Sequence, residues 1–481
     1  MYFSNIYPTP RSFVENDDQS FVFHAEVDAV VSGLSADNID RIQTLWNRFS
    51  CSASVLHVKE ATDGFRFAIG NVSCELNSDD TYALRVTEDG VCIVAVDSVS
   101  LMHGIMTLIQ LICPENLHEG HEHLYISSTE VHDSPALSFR AMHICFFPYG
   151  GSLVHIEKAI HLAGFMKLSH LIFEFWGTFP YECLKELHWP SRYFPKDEIR
   201  RLVRIANSYG MEIIPFVNHF GHAEQTRGCH GRLVALNQNL RLSTLFEPDG
   251  WTWCLSNPES YELLAKMRDE VMEVCGDGQY FHLGFDEAGS FATCPKCRKN
   301  LPHERLLADY VNRLIDDVCK TGRRPIIWHD MFIRKSDFPD EGYRVEANGG
   351  SRNTYKAIDL LDHRVLMADW NYDYKNGYNP TTPYFLSKGF DTVVCPWFPA
   401  ENIKSLSWDA KKLGTYGMIL TTWDCLTAFI DNAAYWADSA WSAKEQPVGY
   451  SNAESRVMLA RLYDVEGNFE NAGWSTCNVE K

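Results

Sequence analysis

No run in the sequence reaches the roughly 18 consecutive apolar residues of a membrane-crossing helix, so no segment is expected to span a bilayer. Basic residues are in short supply: 43 Lys and Arg stand against 63 Asp and Glu, a formal charge of −20. A surface of that sign repels phosphate backbones and anionic lipid, which argues against nucleic-acid and membrane partners. The start, MYFSNIYPTPRSFVEN, has no basic stretch followed by an apolar one, and no secretory signal is expected. No P-loop or dinucleotide glycine fingerprint falls at a strand–helix junction, which removes the usual nucleotide cofactors. Disulfide spacing is also missing. The 15 cysteines are odd in number and several sit in apolar stretches, such as Cys92 in VCIVAV and Cys395 in VVCPWF. They read as small buried hydrophobes in a reducing, cytoplasmic setting. Cys294-Pro-Lys-Cys297 with His303 nearby, and the cluster His118, His121 and His123, lack four-ligand zinc spacing, so no metal is expected.

What is present is a long, aromatic-rich chain: 481 residues with 13 Trp and 21 Tyr. That length suits one large catalytic body with smaller additions. Residues 1–135 read as an N-terminal α/β unit, with strand-like FVFHAEV, FRFAIG, YALRVTEDG and VCIVAVDS and a helix-like SLMHGIMTLIQLI from Ser100. From 136 to 450 the texture changes. Eight short apolar runs (FRAMHICFF, HLIFEFW, MEIIPFVN, YFHLGF, RPIIWHDM, RVLMADW, DTVVCPWF and GMILTTW) alternate with helical patterns such as IEKAIHLAGFMK and KDEIRRLVRIANSYG. Continuous apolar strands between helices mean a parallel sheet covered on both faces, and eight such units are the count of a (β/α)8 TIM barrel. Residues 451–481 read as one more helix and a tail. A homo-oligomer is left open.

In such a barrel the reacting groups stand at the C-terminal ends of the strands. The runs end in His143, Glu174 and Trp176, Asn218 with His219 and His222, Asp286–Glu287, Trp328 with Asp330, Asp369 with Trp370 and Tyr372, Trp397, and Trp423–Asp424. The sharpest of these is YFHLGFDEAGS, where an apolar strand ends in two adjacent carboxylates. Such neighbours push one acid to keep its proton near neutral pH, as glycoside cleavage requires. Adjacent residues of a strand point to opposite sides, however, so the pair cannot easily flank one glycosidic bond. One acid would serve as proton donor and the other would do something else. A solvated acidic turn is the competing reading.

HLGFDEA resembles the H-x-G-x-D-E signature of glycoside hydrolase family 20, the β-N-acetylhexosaminidases. FRAMHI, PFVNHFGHAEQT, RPIIWHDMF and GMILTTWD are similar to that family's first, third, fifth and eighth barrel strands, in order, and YALRVTEDGVCIVAVDSVSLMHGIMTLIQL to its preceding small domain. The cytosolic, bacterial-type branch is the nearer one. The resemblance implies a retaining exo-β-N-acetylhexosaminidase in which the substrate's own 2-acetamido oxygen attacks the anomeric carbon and forms an oxazolinium ion. Glu287 would be the general acid, Asp286 would hold the acetamide N–H, and Tyr372 would donate to the acetamide oxygen. Trp328, Trp370, Trp397 and Trp423 would wall the sugar. Arg140 would bind ring hydroxyls, and His222 would tune Glu287. Glu174 and Asp424 would complete substrate binding. No cofactor is needed, and the partner is an oligosaccharide ending in N-acetylhexosamine.

The chain departs from the family's pattern at Gly177, where an acidic residue is usual, at Asn218 in place of an Asp, and at Asp424. These changes bear on sugar recognition. They keep open a β-N-acetylgalactosaminidase or an enzyme for a modified hexosamine, and, in another class, a non-catalytic sugar-binding barrel. The lone His282, two residues before Gly284, reads as packing inside the barrel.

Overall fold

The computed structural model describes residues 6–112, 124–146, 153–175, 177–185, 193–223, 242–338, 344–374, 379–423, 426–444, 458 and 461–462. The first seven strands are β1 (Ser12–Val22), β2 (Glu26–Ser32), β3 (Val55–Ala61), β4 (Arg66–Gly70), β5 (Tyr82–Thr87), β6 (Gly90–Ala95) and β7 (Tyr125–Asp133). They form one sheet in the order β1-β7-β5-β6-β4-β2-β3. In β2, Val27, Ala29 and Val31 are buried while Glu26, Asp28 and Val30 face solvent, the period of a half-covered strand. The cover comes from the helices Ala36–Phe49 and Ser98–Leu111. The first is capped by the Ser35 side chain and buries Ile42, Leu45, Trp46 and Phe49, a single helical stripe. The expected strand FVFHAEV is two pieces here, the end of β1 and the start of β2. β3, β7, most of β1 and the helix Ala36–Phe49 carry no clear apolar run in the sequence, because their exposed halves are charged or rich in Ser and Thr and dilute the apolar period.

The eight runs read as barrel strands are all strands: β8 (Phe139–Cys145), β9 (His170–Glu174), β10 (Glu212–Phe216), β11 (Tyr280–His282), β12 (Arg324–Trp328), β13 (Leu366–Trp370), β14 (Thr392–Cys395) and β15 (Gly417–Thr421). They close into a barrel in chain order, all parallel, with β15 pairing back to β8. Helices between them include Leu153–Phe165, Lys196–Ser208, Pro258–Cys275 and His303–Lys320. The glycines expected to end two of these, Gly210 and Gly322, have φ of 82° and 79°, a left-handed conformation that glycine adopts without a Cβ clash.

Side chains fill the barrel in layers. At the N-terminal end Phe139 stacks on His170 with centroids 4.5 Å apart, and the hydroxyls of Tyr280 and Tyr416 meet at 2.5 Å. One layer up, His282 lies between Phe216 at 4.2 Å and Trp328 at 4.4 Å. His282 is fully buried, and burial holds its imidazole well below the usual value, so it is a neutral packing group. This plug is the floor on which the C-terminal strand ends build a pocket.

Beneath the floor, β7 joins the barrel through Asp133. Its carboxylate accepts from the Tyr82 hydroxyl at 2.6 Å and the Trp441 indole at 3.0 Å, and faces the Lys167 ammonium at 3.7 Å. β7 ends at Asp133 and β8 begins at Phe139. Of the stretch 451–481, only Met458, Arg461 and Leu462 are described. Among the described residues no helix is long and apolar enough to cross a membrane.

Candidate active site

Two glycines let the third and fourth strand ends touch. A Cβ on Gly221 would lie 2.0 Å from the Asp286 carbonyl oxygen, and one on Gly284 would lie 2.2 Å from the Asn218 amide oxygen. Only glycine fits either close approach, which is the physical content of the glycines in NHFGH and HLGFDE. The chain around them is bent hard: His222, Phe285, Glu287 and Trp423 have φ of 55°, 88°, 48° and 46°. Non-glycine residues in that region cost about 1–3 kcal/mol each and persist where the surroundings enforce them, often at functional sites.

That bend sends the two adjacent acids to different environments. Asp286 is buried, whereas the Glu287 side chain keeps 46% of its exposure. His222 bridges them, its Nε2 at 3.1 Å from Asp286 Oδ2 and 3.4 Å from Glu287 Oε2. Burial works against a charged imidazole, but the two carboxylates override it and raise His222 to about 10. The imidazolium is therefore the resident cation between two acids. Burial pushes Asp286 above the usual carboxylate range, with Glu287 and Glu174 adding to the rise and His222 opposing it. Its second oxygen, Oδ1, is buried and has no partner among the described residues.

The Glu287 backbone is pinned from both sides. Its N–H donates to Asp330 Oδ2 at 3.0 Å, and its carbonyl accepts from the Trp251 indole at 2.7 Å. Trp251 also packs on the His222 ring at 4.8 Å. Asn348 donates to the same Asp330 oxygen at 2.8 Å. Burial, with the charge of Asp286 behind it, raises Asp330 to about 8, so this carboxyl keeps its proton near neutrality.

Near enough to Asp286 for Tyr372 to feel its charge stands an aromatic wall. Tyr372 lies 5.2 Å from Trp370 and 5.5 Å from Trp397, and Trp423 lies 5.8 Å from Trp328 and 4.8 Å from His143. The Tyr372 hydroxyl accepts from the Trp423 indole at 2.7 Å and from Thr421 Oγ1 at 3.2 Å. Burial lifts its phenol well above the usual value, so it stays a neutral donor. The indole nitrogens of Trp328, Trp370 and Trp397 are buried without partners among the described residues. Asn402 holds this wall in place. It donates to the carbonyls of Asn371 and Tyr374 at 2.8 and 2.9 Å and accepts from the Trp397 N–H at 2.9 Å. Alternation sorts the end of β13: Trp370 and Tyr372 face inward, while Asp369 is tied to Thr381 and Thr382.

The structure thus brings together Asp286, Glu287, His222, Tyr372, Trp328, Trp370, Trp397 and Trp423. Two expectations need correction. Arg140 is the second residue of β8, at the barrel's N-terminal end, and Cys145 at the pocket end is about 16 Å further along at 3.3 Å per residue. Its guanidinium donates to the carbonyls of Leu137, Ser138 and Lys167 and lies over the Trp441 ring at 4.8 Å, so it closes the barrel floor and binds no ring hydroxyl. Glu174 sits at the right end but is fully engaged: His143 Nε2 stands 2.8 Å from one oxygen and Asn218 donates to the other at 2.7 Å. It therefore acts on the pocket through these neighbours and through its charge, which Asp286 feels. Gly177 and Asn218, two of the three departures, leave Glu174 as the acid on this side. Asp424, Trp176, His118, His121 and His123 lie outside the described residues. Asp330 stood at a predicted strand end but drew no role, and Trp251 and Asn348 were missed because they come from irregular loops with no periodic signal.

Comparison with known proteins gives the same family twice. Residues 177–416 match the model for the glycosyl hydrolase family 20 catalytic domain, and residues 4–134 match that for family 20 domain 2. A beta-hexosaminidase of Porphyromonas gingivalis is 23% identical over 68% of this chain and 45% of its own length. Hexosaminidase D of Bos taurus is 30% identical over 36% of this chain and 48% of its own. The chain spans about half the length of the curated relatives it matches. Among solved structures, a beta-N-acetylhexosaminidase from Bacteroides fragilis superposes with a TM-score of 0.69 at 18% identity, covering 98% of this chain and 96% of that one. An exo beta-N-acetylglucosaminidase from Vibrio harveyi, solved with N-acetylglucosamine, gives 0.71 at 16%, covering 97% and 78%. At those identities the likeness concerns the fold.

Proposed function

The chain belongs to glycosyl hydrolase family 20, and from that premise we propose that it is a retaining exo-β-N-acetylhexosaminidase that removes a terminal β-linked N-acetylhexosamine with the substrate's acetamide as nucleophile. The observation that carries the reading is the division between the paired acids. A half-exposed Glu287 suits a proton donor that meets a leaving group, and a buried Asp286 keeps one oxygen without a partner among the described residues. In the proposed first step the acetamide oxygen bonds to the anomeric carbon, the glycosidic bond breaks, and Glu287 gives its proton to the departing oxygen. Asp286 Oδ1 accepts from the acetamide N–H and stabilises the positive charge growing there. Tyr372 donates to the acetamide oxygen and aims it. In the second step Glu287 takes a proton from water as the water opens the oxazolinium ring, and the configuration is retained.

This reading is supported by the spare proton of Tyr372. The phenol oxygen accepts from the Trp423 indole at 2.7 Å, and with Thr421 Oγ1 donating to the same oxygen at 3.2 Å the phenolic hydrogen is available to a substrate. A cytoplasmic member of the bacterial-type branch is part of the same proposal, supported by buried free cysteines such as Cys275 and Cys395. The test is a pair of variants assayed on an aryl β-N-acetylhexosaminide. Glu287→Gln is expected to lose about 10³-fold or more in kcat, since departure depends on that one proton. Asp286→Asn is expected to lose about 10²–10³-fold and to gain nothing from added azide. A Glu287→Gln protein as active as the parent would reject the assignment.

A further inference from the structure

The loop that follows Glu287 carries a second group of convergent side chains. Cys294 and Cys297 stand at the start of the short helix Pro295–Lys299, and Cys254 approaches them from a segment 40 residues earlier. Cys254 Sγ is 3.6 Å from Cys294 Sγ and 3.6 Å from Cys297 Sγ, and all three sulfurs lie within 4.8 Å of one another. All three are buried. The backbone N–H of Cys297 points at Cys294 Sγ at 3.3 Å, a contact that suits a sulfur carrying negative charge. Three sulfurs bound to one tetrahedral zinc at about 2.3 Å would be about 3.8 Å apart. The observed spacings are close to that value, and far from the roughly 2.05 Å of a disulfide.

We propose that Cys254, Cys294 and Cys297 bind one structural zinc ion. The three thiols coordinate as thiolates and release their protons to solvent on binding. Soft sulfur ligands in tetrahedral array select zinc over the hard divalent ions. The fourth corner takes a nitrogen or oxygen donor. Among the described residues no His, Asp or Glu brings a ligand atom within 4.8 Å of all three sulfurs, so a water molecule would fill that corner. The trio was not legible in the sequence because C-x-x-C supplies only two ligands and the third is far away along the chain.

The site would join the two loops that shape the catalytic acid. Cys254 lies three residues after Trp251, whose indole holds the Glu287 carbonyl, and Cys294 lies seven residues after Glu287. The same two loops are already tied by Ser290 Oγ to Thr252 Oγ1 at 2.8 Å. Glu247 adds a second tie, accepting from the N–H groups of Ala292, Thr293 and Cys294. A metal there would brace the floor behind Glu287 without touching the sugar.

The experiment is metal analysis of the full chain, purified reduced from zinc-containing medium with no chelator. About one zinc per chain is expected, and cobalt exchanged into the protein should give intense thiolate charge-transfer absorption with tetrahedral visible bands. Cys254→Ser should lose most of the zinc and melt at lower temperature. Should that variant fail to fold, the cobalt spectrum of the parent decides alone. The proposal is overturned by a parent with no stoichiometric zinc and no cobalt–thiolate band, by full zinc retention in Cys254→Ser, or by a Cys254–Cys294 or Cys254–Cys297 disulfide in non-reducing peptide mapping.

Discussion

Replacing Tyr372 by Phe removes one oxygen and leaves the ring, so it separates what the hydroxyl does for the substrate from what the ring does for the pocket. In the folded protein that oxygen accepts from the Trp423 indole at 2.7 Å and from Thr421 Oγ1 at 3.2 Å, which leaves its own proton for a substrate. If the proton orients the acetamide, its loss lets the nucleophile drift from its line of attack. Misplacement of that kind costs about 10²-fold in rate, or ~2.7 kcal/mol in the barrier. The structural cost is smaller. The Trp423 indole loses its acceptor, worth about 1 kcal/mol for a half-buried donor. In a protein of this size such a change lowers the melting temperature by only about 2 °C. The two effects are measured separately, as kcat and KM on an aryl β-N-acetylhexosaminide and as a thermal melt. The expected result is a fall in kcat of about 10²-fold with an almost unchanged melt. A kcat within about fivefold of the parent would refute the role given to the hydroxyl.

Asp330 provides a pH test. Its folded pKa of about 8 lies above the ordinary 3.8, so the folded state holds an extra proton across that window. The stability it contributes is complete below the lower value and is lost as pH rises towards the upper one. Asp330→Asn cannot titrate, so its melting temperature should fall less than the parent's between about pH 5 and about pH 9; equal slopes would contradict the assignment. Arg140→Met should destabilise the fold by about 3–5 kcal/mol, because two buried carbonyls and one part-buried carbonyl lose their donors. KM of the folded fraction should be unchanged, and a raised KM with an unchanged melt would restore Arg140 to the sugar.

The barrel was readable because each of its strands is short with a mainly apolar run, and the intervening helices bury one stripe, two periods that are hard to confuse. The N-terminal sheet was only partly readable. β1, written SFVENDDQSFV, places an exposed Val14 among acids and has no stripe to find. At the site, strand ends indicated the right place but not the face. Asp369 and Trp370 are neighbours in sequence, yet one is tied to Thr381 and the other lines the pocket. Arg140 shows the complementary failure: a charged residue in a barrel strand was assigned to the pocket when its position, one residue after the strand begins, puts it at the other end. Trp251, Asn348 and Cys254 come from long loops. Only three-dimensional closure, enforced by Gly221 and Gly284, brings such residues to the acids or to one another.

The claim on which the rest depends is that the sugar supplies its own nucleophile. The most direct measurement compares kcat/KM for an aryl β-N-acetylglucosaminide or β-N-acetylgalactosaminide with that for the matching β-glucoside. An acetamide held in line by Asp286 and Tyr372 predicts a preference of about 10³-fold or more for the N-acetylated pair, the scale of a well-aimed intramolecular attack. A glucoside cleaved at the same rate would show that the enzyme attacks by some other route.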